Sequence, residues 1–217
     1  MAPDWARIVR ELRTHLRATT LPTVSQIAHV NGTPFRVLVS TMISLRTKDE
    51  VTFAASERLF AAADTPEAML ALSPERIEDL IYPAGFYRTK ARNILEVSRA
   101  IVNNHGGEVP STIEALTSFP GVGRKTANLV LGLGFGIPSI CVDTHVHRIA
   151  NRCGWVTTRS PDETEGELAS ILPRRYWIEI NELLVVYGQQ TCTPTSPHCS
   201  SCTIARQCAR VGVERSR

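Results

Sequence analysis

No stretch of this 217-residue chain approaches the roughly 18 consecutive apolar residues that a membrane-spanning helix needs, so no membrane partner is expected. The opening residues, Met1-Ala2-Pro3-Asp4-Trp5, have no apolar segment of the kind a secretory leader carries. Both features point to the cytoplasm, where thiols stay reduced. No segment sustains the apolar-polar alternation of a half-buried strand, and there is no sequence repeat and no low-complexity linker. Lysine is scarce: Lys48, Lys90 and Lys125 stand against 21 arginines. Arginine therefore supplies the ordinary positive charge. A lysine kept in that background suits what arginine cannot do, which is to lose its proton and act as an amine nucleophile.

What is present reads as helix almost throughout. The run Pro34 to Leu45 is apolar on every side, as a helix at the centre of a core would be. Asp49 to Ala63 is amphipathic, and Arg88 to Asn104 and Arg174 to Tyr187 are further helices. Thr65-Pro66-Glu67, Ser73-Pro74-Glu75 and Ser160-Pro161-Asp162 share one start signal. The hydroxyl accepts an orphan amide, proline has no amide to lose, and the acid favours the positive helix end. About ten helices with short connections make an all-α fold. The 43% hydrophobic content suffices for one sizeable core or two smaller ones sharing a groove.

Net charge is only +3, but it is unevenly placed. Asp162 to Glu167 is acidic, while Arg88, Lys90, Arg92 and Arg99 cluster, as do Arg206, Arg210, Arg215 and Arg217. Local basic faces on a near-neutral chain fit a nucleic-acid footprint, and solvated surface explains any single arginine equally well.

Ser111 is expected to open a helix through a capping box with Glu114. Phe119-Pro120-Gly121-Val122-Gly123 follows, then a second helix from Arg124 to about Leu133. Such a hairpin presents bare amides at a positive helix end, which bind a phosphate without reading a base. Lys125 falls in the first turn of that second helix. Eighteen residues on, after Gly132, Gly134, Gly136 and Pro138 have broken the helix, Asp143 precedes Thr144-His145-Val146-His147 at another helix start. Asp143 as a helix N-cap is a competing reading of its role. His145 and His147 point to different faces of their helix and form no metal pair.

Cys192, Cys199, Cys202 and Cys208 are spaced Cys-x6-Cys-x2-Cys-x5-Cys. Zinc sites usually pair two short Cys-x2-Cys hooks, and only one hook exists here. The uneven spacing favours a cubane iron–sulfur cluster, with zinc as the alternative. Two disulfides would require an oxidising compartment. His198 lies inside this run, but four thiolates suffice. Cys141 and Cys153 fall outside it and read as small buried apolar residues.

The hairpin segment Phe119 to Ala127, then Val142-Asp143-Thr144-His145, then the four-cysteine run resemble, in order and over nearly the whole chain, the endonuclease III family of helix-hairpin-helix DNA glycosylases. The resemblance implies two helical domains flanking a DNA-binding groove. One is a six-helix barrel at 22–134 with the helix-hairpin-helix at about 112–134. The other is a cluster domain of 1–21 plus 135–217, with its iron–sulfur loop at 192–208. It implies Lys125 as nucleophile and Asp143 as essential carboxylate. It implies one 4Fe-4S cluster on Cys192, Cys199, Cys202 and Cys208. It implies a monovalent cation on the hairpin carbonyls of Thr117, Phe119 and Val122. Gly121, Val122, Gly123 and Arg124 would contact DNA. Arg46 and Phe86 match the two positions that fill the gap left by an extruded base, where the family usually has Gln and Leu. The expected partner is double-stranded DNA carrying damaged bases or abasic sites, acted on by a monomer in the nucleoid.

The implied activity is excision of oxidised pyrimidines with AP-lyase strand nicking. A monofunctional uracil/thymine mismatch glycosylase is a second reading, against which Lys125 argues. A non-enzymatic iron–sulfur DNA-binding regulator is a third, and would need the hairpin and cysteines but not Lys125 and Asp143.

Overall fold

The computed structural model describes residues 3–17 and 19–217. Met1, Ala2 and Ala18, which fall within the expected 1–21 segment, lie outside the described residues. No strand occurs among the described residues, and none of their helices is long and apolar enough to cross a membrane. The α-helices are α1 (Trp5–Leu16), α2 (Thr23–Asn31), α3 (Pro34–Ser44), α4 (Asp49–Ala62), α5 (Pro66–Leu70), α6 (Pro74–Ile81), α7 (Tyr87–His105), α8 (Ile113–Thr117), α9 (Arg124–Leu129), α10 (Thr144–Cys153), α11 (Pro161–Ile171) and α12 (Trp177–Gln190). They divide into two compact units, Thr23–Ile137 and Met1–Pro22 with Pro138–Arg217.

In the unit Thr23–Ile137, α3 is the central element. Phe35 and every residue from Val37 to Ile43 are buried. Its packing partners include α2, α4, α7 and α9. Each fully buried large aliphatic side chain stabilises the fold by about 1.5–3 kcal/mol. The all-round apolar pattern of this helix therefore reflects burial on all sides. The Thr65 and Ser73 hydroxyls accept from the amides of Ala68 and Arg76, as the Ser/Thr-Pro-acid signal predicts. One start differs. Thr112, not Ser111, caps α8 by accepting from the Ala115 amide at 3.2 Å, so the expected Ser111–Glu114 box is not the cap. Two adjacent hydroxyls offer two frames, and the chain takes the later one.

In the other unit, α1 starts at Asp4, whose side chain accepts from the Arg7 amide. It buries Trp5, Ile8, Val9 and Leu12 in a core with Ile149, Ile180, Leu184 and Tyr187. Trp5 meets Trp155 edge-on with centroids 4.9 Å apart, and Arg13 holds Glu179 through two bonds of 2.9 and 2.7 Å. Ser160 caps α11 by accepting from the Glu163 amide. The expected helix from Arg174 begins as a 3-10 turn at Arg174–Tyr176 before α12 takes over.

Candidate active site and metal-binding loop

The hairpin joins α8 to α9. Phe119 and Val122 are buried, and the Val122 amide donates to the Phe119 carbonyl at 3.1 Å. These two side chains pin the turn to the core, so Val122 offers an outside partner only its backbone. Gly121 has φ of +76°, and a Cβ there would also lie 2.5 Å from Asn93 Nδ2. The positive φ favours glycine, and a side chain there would also have to push the Asn93 amide aside. Gly123 precedes α9 without a capping side chain, and a Cβ built on it would meet nothing within 4 Å. The first-turn amides of α9 thus stand beneath open space, flanked by exposed Arg124 and Lys125. The second helix runs over about the expected length, but α9 passes into a π-helical turn at Val130–Gly134. Gly134 lies against Pro34, where a Cβ would be 3.1 Å from Pro34 Cα.

Lys125 lines a pocket of about 520 Å³ together with Ser44, Leu45, Arg46, Phe86 and Lys90. The two expected gap-filling residues, Arg46 and Phe86, therefore share a pocket with the expected nucleophile. Both are exposed, Phe86 at 63%. Phe86 is thus free of the core. Both have left-handed backbones, with φ of 53° and 58°. Bulky residues rarely adopt that conformation, and such strain concentrates at functional sites. The Arg46 guanidinium lies over the Phe86 ring at 5.6 Å, within range of a cation–π contact.

Lys90 departs from its place among the surface basic residues. It is buried, and its ammonium donates to the carbonyls of Ile43 and Leu45, each at 2.6 Å, and to Thr47 Oγ1 at 2.8 Å. Burial pulls its pKa down to about 8, which leaves it charged at neutral pH.

Asp143 belongs to the other unit and is the N-cap of α10. Its Oδ1 accepts from the His145 and Val146 amides at 2.8 and 2.9 Å. The carboxylate is half-buried and fixed in orientation at a positive helix end. His147 Nδ1 bonds Thr164 Oγ1 at 2.6 Å, and His145 Nδ1 meets Arg148 Nη2 at 3.1 Å. Both histidines are thus engaged in packing α10.

Cys192, Cys199, Cys202 and Cys208 line one cavity with Ile149, Tyr187 and Ile204. Among the described residues, no three His, Cys, Asp or Glu side chains come close enough to share a single metal ion. Cys141 and Cys153 are buried. Three residues that sequence reasoning did not single out hold this loop. Arg148 donates to the Cys192 carbonyl at 2.9 Å and the Gly188 carbonyl at 3.0 Å. Arg152 donates to the carbonyls of Thr193 and Pro194 and approaches Cys192 Sγ at 3.5 Å. The Tyr187 hydroxyl donates to Cys202 Sγ at 3.2 Å and accepts from the Thr203 amide at 3.0 Å. The i, i+4 placement of Arg148 and Arg152 after Asp143 was the available signal, since it puts both on one helix face.

A family model described as HhH-GPD superfamily base excision DNA repair protein matches residues 39–174. The chain belongs to this family. Endonuclease III of Thermotoga maritima is 49% identical over 180 residues, which cover 83% of this chain and 84% of that protein. The solved structure of a non-covalent endonuclease III–DNA complex matches with a TM-score of 0.82 at 32% identity, covering 94% of this chain and 92% of that one. A trapped endonuclease III–DNA covalent intermediate, an estranged-adenine complex, matches with the same score and identity over 94% and 93%. In this HhH-GPD chain the matched segment includes Arg46, Phe86, the hairpin, Lys125 and Asp143, and it ends before the cysteine loop.

Proposed function

We propose that this chain is a DNA glycosylase with AP-lyase activity that removes oxidised pyrimidines from duplex DNA and nicks the strand. The observation that carries the reading is its likeness, over most of both chains, to endonuclease III. The chemistry follows from the residues. Breaking the N-glycosidic bond builds positive charge on the sugar, which the Asp143 carboxylate stabilises. The Lys125 amine, in its neutral form, attacks C1′, and the base departs with the bonding electron pair and a proton. The sugar ring then opens, the C1′–O4′ bond breaking as O4′ takes a proton and the lysine nitrogen's lone pair forms the Schiff base; loss of a C2′ proton from it expels the 3′ phosphate by β-elimination, and water then releases the lysine. The uncapped amides of Gly123 and α9, with Arg124, hold a backbone phosphate. Arg46 and Phe86 fill the gap that the extruded base leaves, Phe86 by stacking and Arg46 by reaching an edge of the estranged base.

The four cysteines are the ligands of one 4Fe-4S cluster in this reading. The four cysteines line one cavity, and their uneven spacing around a single Cys-x2-Cys would suit a 4Fe-4S cluster, to which each thiolate would supply one ligand. The cluster, when bound, would brace the loop rather than react with the sugar. Arg148, Arg152 and Tyr187 orient the backbone and sulfurs around it. The carbonyls of Thr117, Phe119 and Val122 are assigned to a monovalent cation, for which the Phe119 oxygen keeps a second lone pair beside its bond from Val122. The same reading makes the protein a cytoplasmic, nucleoid-associated monomer with the domain division given by the resemblance.

The test is single-turnover incubation with duplexes carrying one thymine glycol, one G:T mismatch or no damage. Release of the oxidised base with strand cleavage leaving a 3′ unsaturated aldehyde is expected. Base release without cleavage would favour the mismatch-type glycosylase, and binding without release the non-catalytic regulator.

A further inference from the structure

Lys90 is one of three lysines in a chain that otherwise uses arginine, and no step of the proposed reaction requires it. It stands in the first turn of α7, just beyond the exposed, left-handed Phe86. Its side chain runs inward to the C-terminal end of α3. The last carbonyls of a helix have no partner within the helix, and Lys90 satisfies one of them, that of Ile43. It also takes the Leu45 carbonyl, one residue before the left-handed Arg46, and Thr47 Oγ1, one residue after it. An ammonium radiates three donors from one nitrogen, and three oxygens converge on it here. The flat fork of arginine could not meet all three in this buried corner.

Thr47 carries the link onward. Its Oγ1 also accepts from the Gly85 amide at 3.1 Å. Gly85 lies so close to the Arg46 loop that a Cβ on it would clash with the Arg46 carbonyl oxygen. The loops bearing Arg46 and Phe86 are therefore joined through the Thr47 side chain, with their backbones in close approach at Gly85. Above that junction the Arg46 guanidinium rests on the Phe86 ring. Bulky residues adopt a left-handed backbone only where their surroundings enforce it, so the surrounding bonds must hold both loops in place.

We propose that Lys90 is a positioning residue that, through Thr47 and Gly85, holds Arg46 and Phe86 as one preassembled wedge for opening the base stack. A preorganised wedge meets the DNA without first ordering two loops, and that ordering would otherwise add to the unstacking cost of extruding a base. The Lys90 ammonium is spent on three protein oxygens, and its contribution rests on the proposed gap-filling role of Arg46 and Phe86.

The experiment compares Lys90→Met, Thr47→Val, Thr47→Ser and the double variant Arg46→Ala/Phe86→Ala. Two substrates are used: a duplex with one thymine glycol, and a single-stranded oligonucleotide with one abasic site, which has no stack to open. Lys90→Met should lower single-turnover excision from the duplex by about tenfold or more, with borohydride trapping on the single strand lowered by less than about threefold. Thr47→Val should show the same selectivity, and Thr47→Ser should restore activity. Placed in the Arg46→Ala/Phe86→Ala background, Lys90→Met should lower duplex excision further by less than about threefold. Equal loss on both substrates, or an undiminished effect in the wedge-free background, overturns the proposal. If Arg46→Ala/Phe86→Ala excises like the wild type, the gap-filling reading itself fails. If that variant is impaired while Lys90→Met and Thr47→Val are not, only the Lys90 role fails. Should Lys90→Met not fold, Thr47→Val, which keeps both carbonyl bonds of Lys90, decides.

Discussion

Asp143→Asn and Asp143→Ala separate two roles that one carboxylate carries. As the N-cap of α10, Oδ1 accepts two amides, and α10 carries Arg148 and Arg152, which hold the cysteine loop. Alanine removes the cap, at a cost of about 1 kcal/mol. In a chain of this size that lowers the melting temperature by roughly 2–4 °C. Asparagine keeps an acceptor in the same place and loses only the charge at the helix end, about 0.3–1 kcal/mol. Melting should therefore rank wild type above Asn above Ala. Activity should not follow that order. If the carboxylate stabilises the sugar cation, both variants lose base release by about 10²–10³-fold, because neither carries the negative charge. Single-turnover release from a thymine-glycol duplex, beside thermal melting, reads both quantities. An Asp143→Asn protein that excises within about threefold of wild type, while Asp143→Ala melts lower, would reduce Asp143 to a cap.

Three further outcomes are expected. Cys199→Ala should hold far less iron than the roughly four atoms per chain of an intact cluster, and zinc in the wild type at one per chain would contradict the cluster assignment. Tyr187→Phe leaves the Thr203 amide without its acceptor and should destabilise the protein by about 1–3 kcal/mol; unchanged melting would refute the bracing role of this hydroxyl. Lys90 has a folded-state pKa of about 8, below the ordinary value of 10.5, so the folded protein releases this proton first. Between those pH values unfolding takes up a proton, and wild type should gain stability relative to Lys90→Met as pH rises from 8 to 10; a falling difference would contradict the assigned shift.

The features legible in the sequence were those fixed by local chemistry. Thr65, Ser73 and Ser160 cap their helices because a hydroxyl, a proline and an acid in series satisfy the same orphan groups wherever they occur. The all-round apolar run from Pro34 became the buried α3 for an equally direct reason. The features missed depend on tertiary packing. Ser111 has the capping-box partner Glu114, yet Thr112 takes the cap, a choice the local pattern does not make. The π-helical turn after Leu129 accompanies the close approach of Gly134 to Pro34, which are a hundred residues apart in sequence. Lys90 read as surface charge because its three acceptors come from a segment more than 40 residues away. Lys125 and Asp143 were singled out as candidates by the motifs around them. The exposure and left-handed backbones of Arg46 and Phe86 were not legible, since nothing in their neighbouring residues specifies either.

The most direct test of the proposed chemistry is borohydride trapping on a duplex with a single abasic site, comparing wild type with Lys125→Gln. The account predicts a covalent protein–DNA adduct with the wild type and none with the variant, while both bind the duplex. A wild type that binds and gives no adduct, or a Lys125→Gln protein that still gives one, would contradict it.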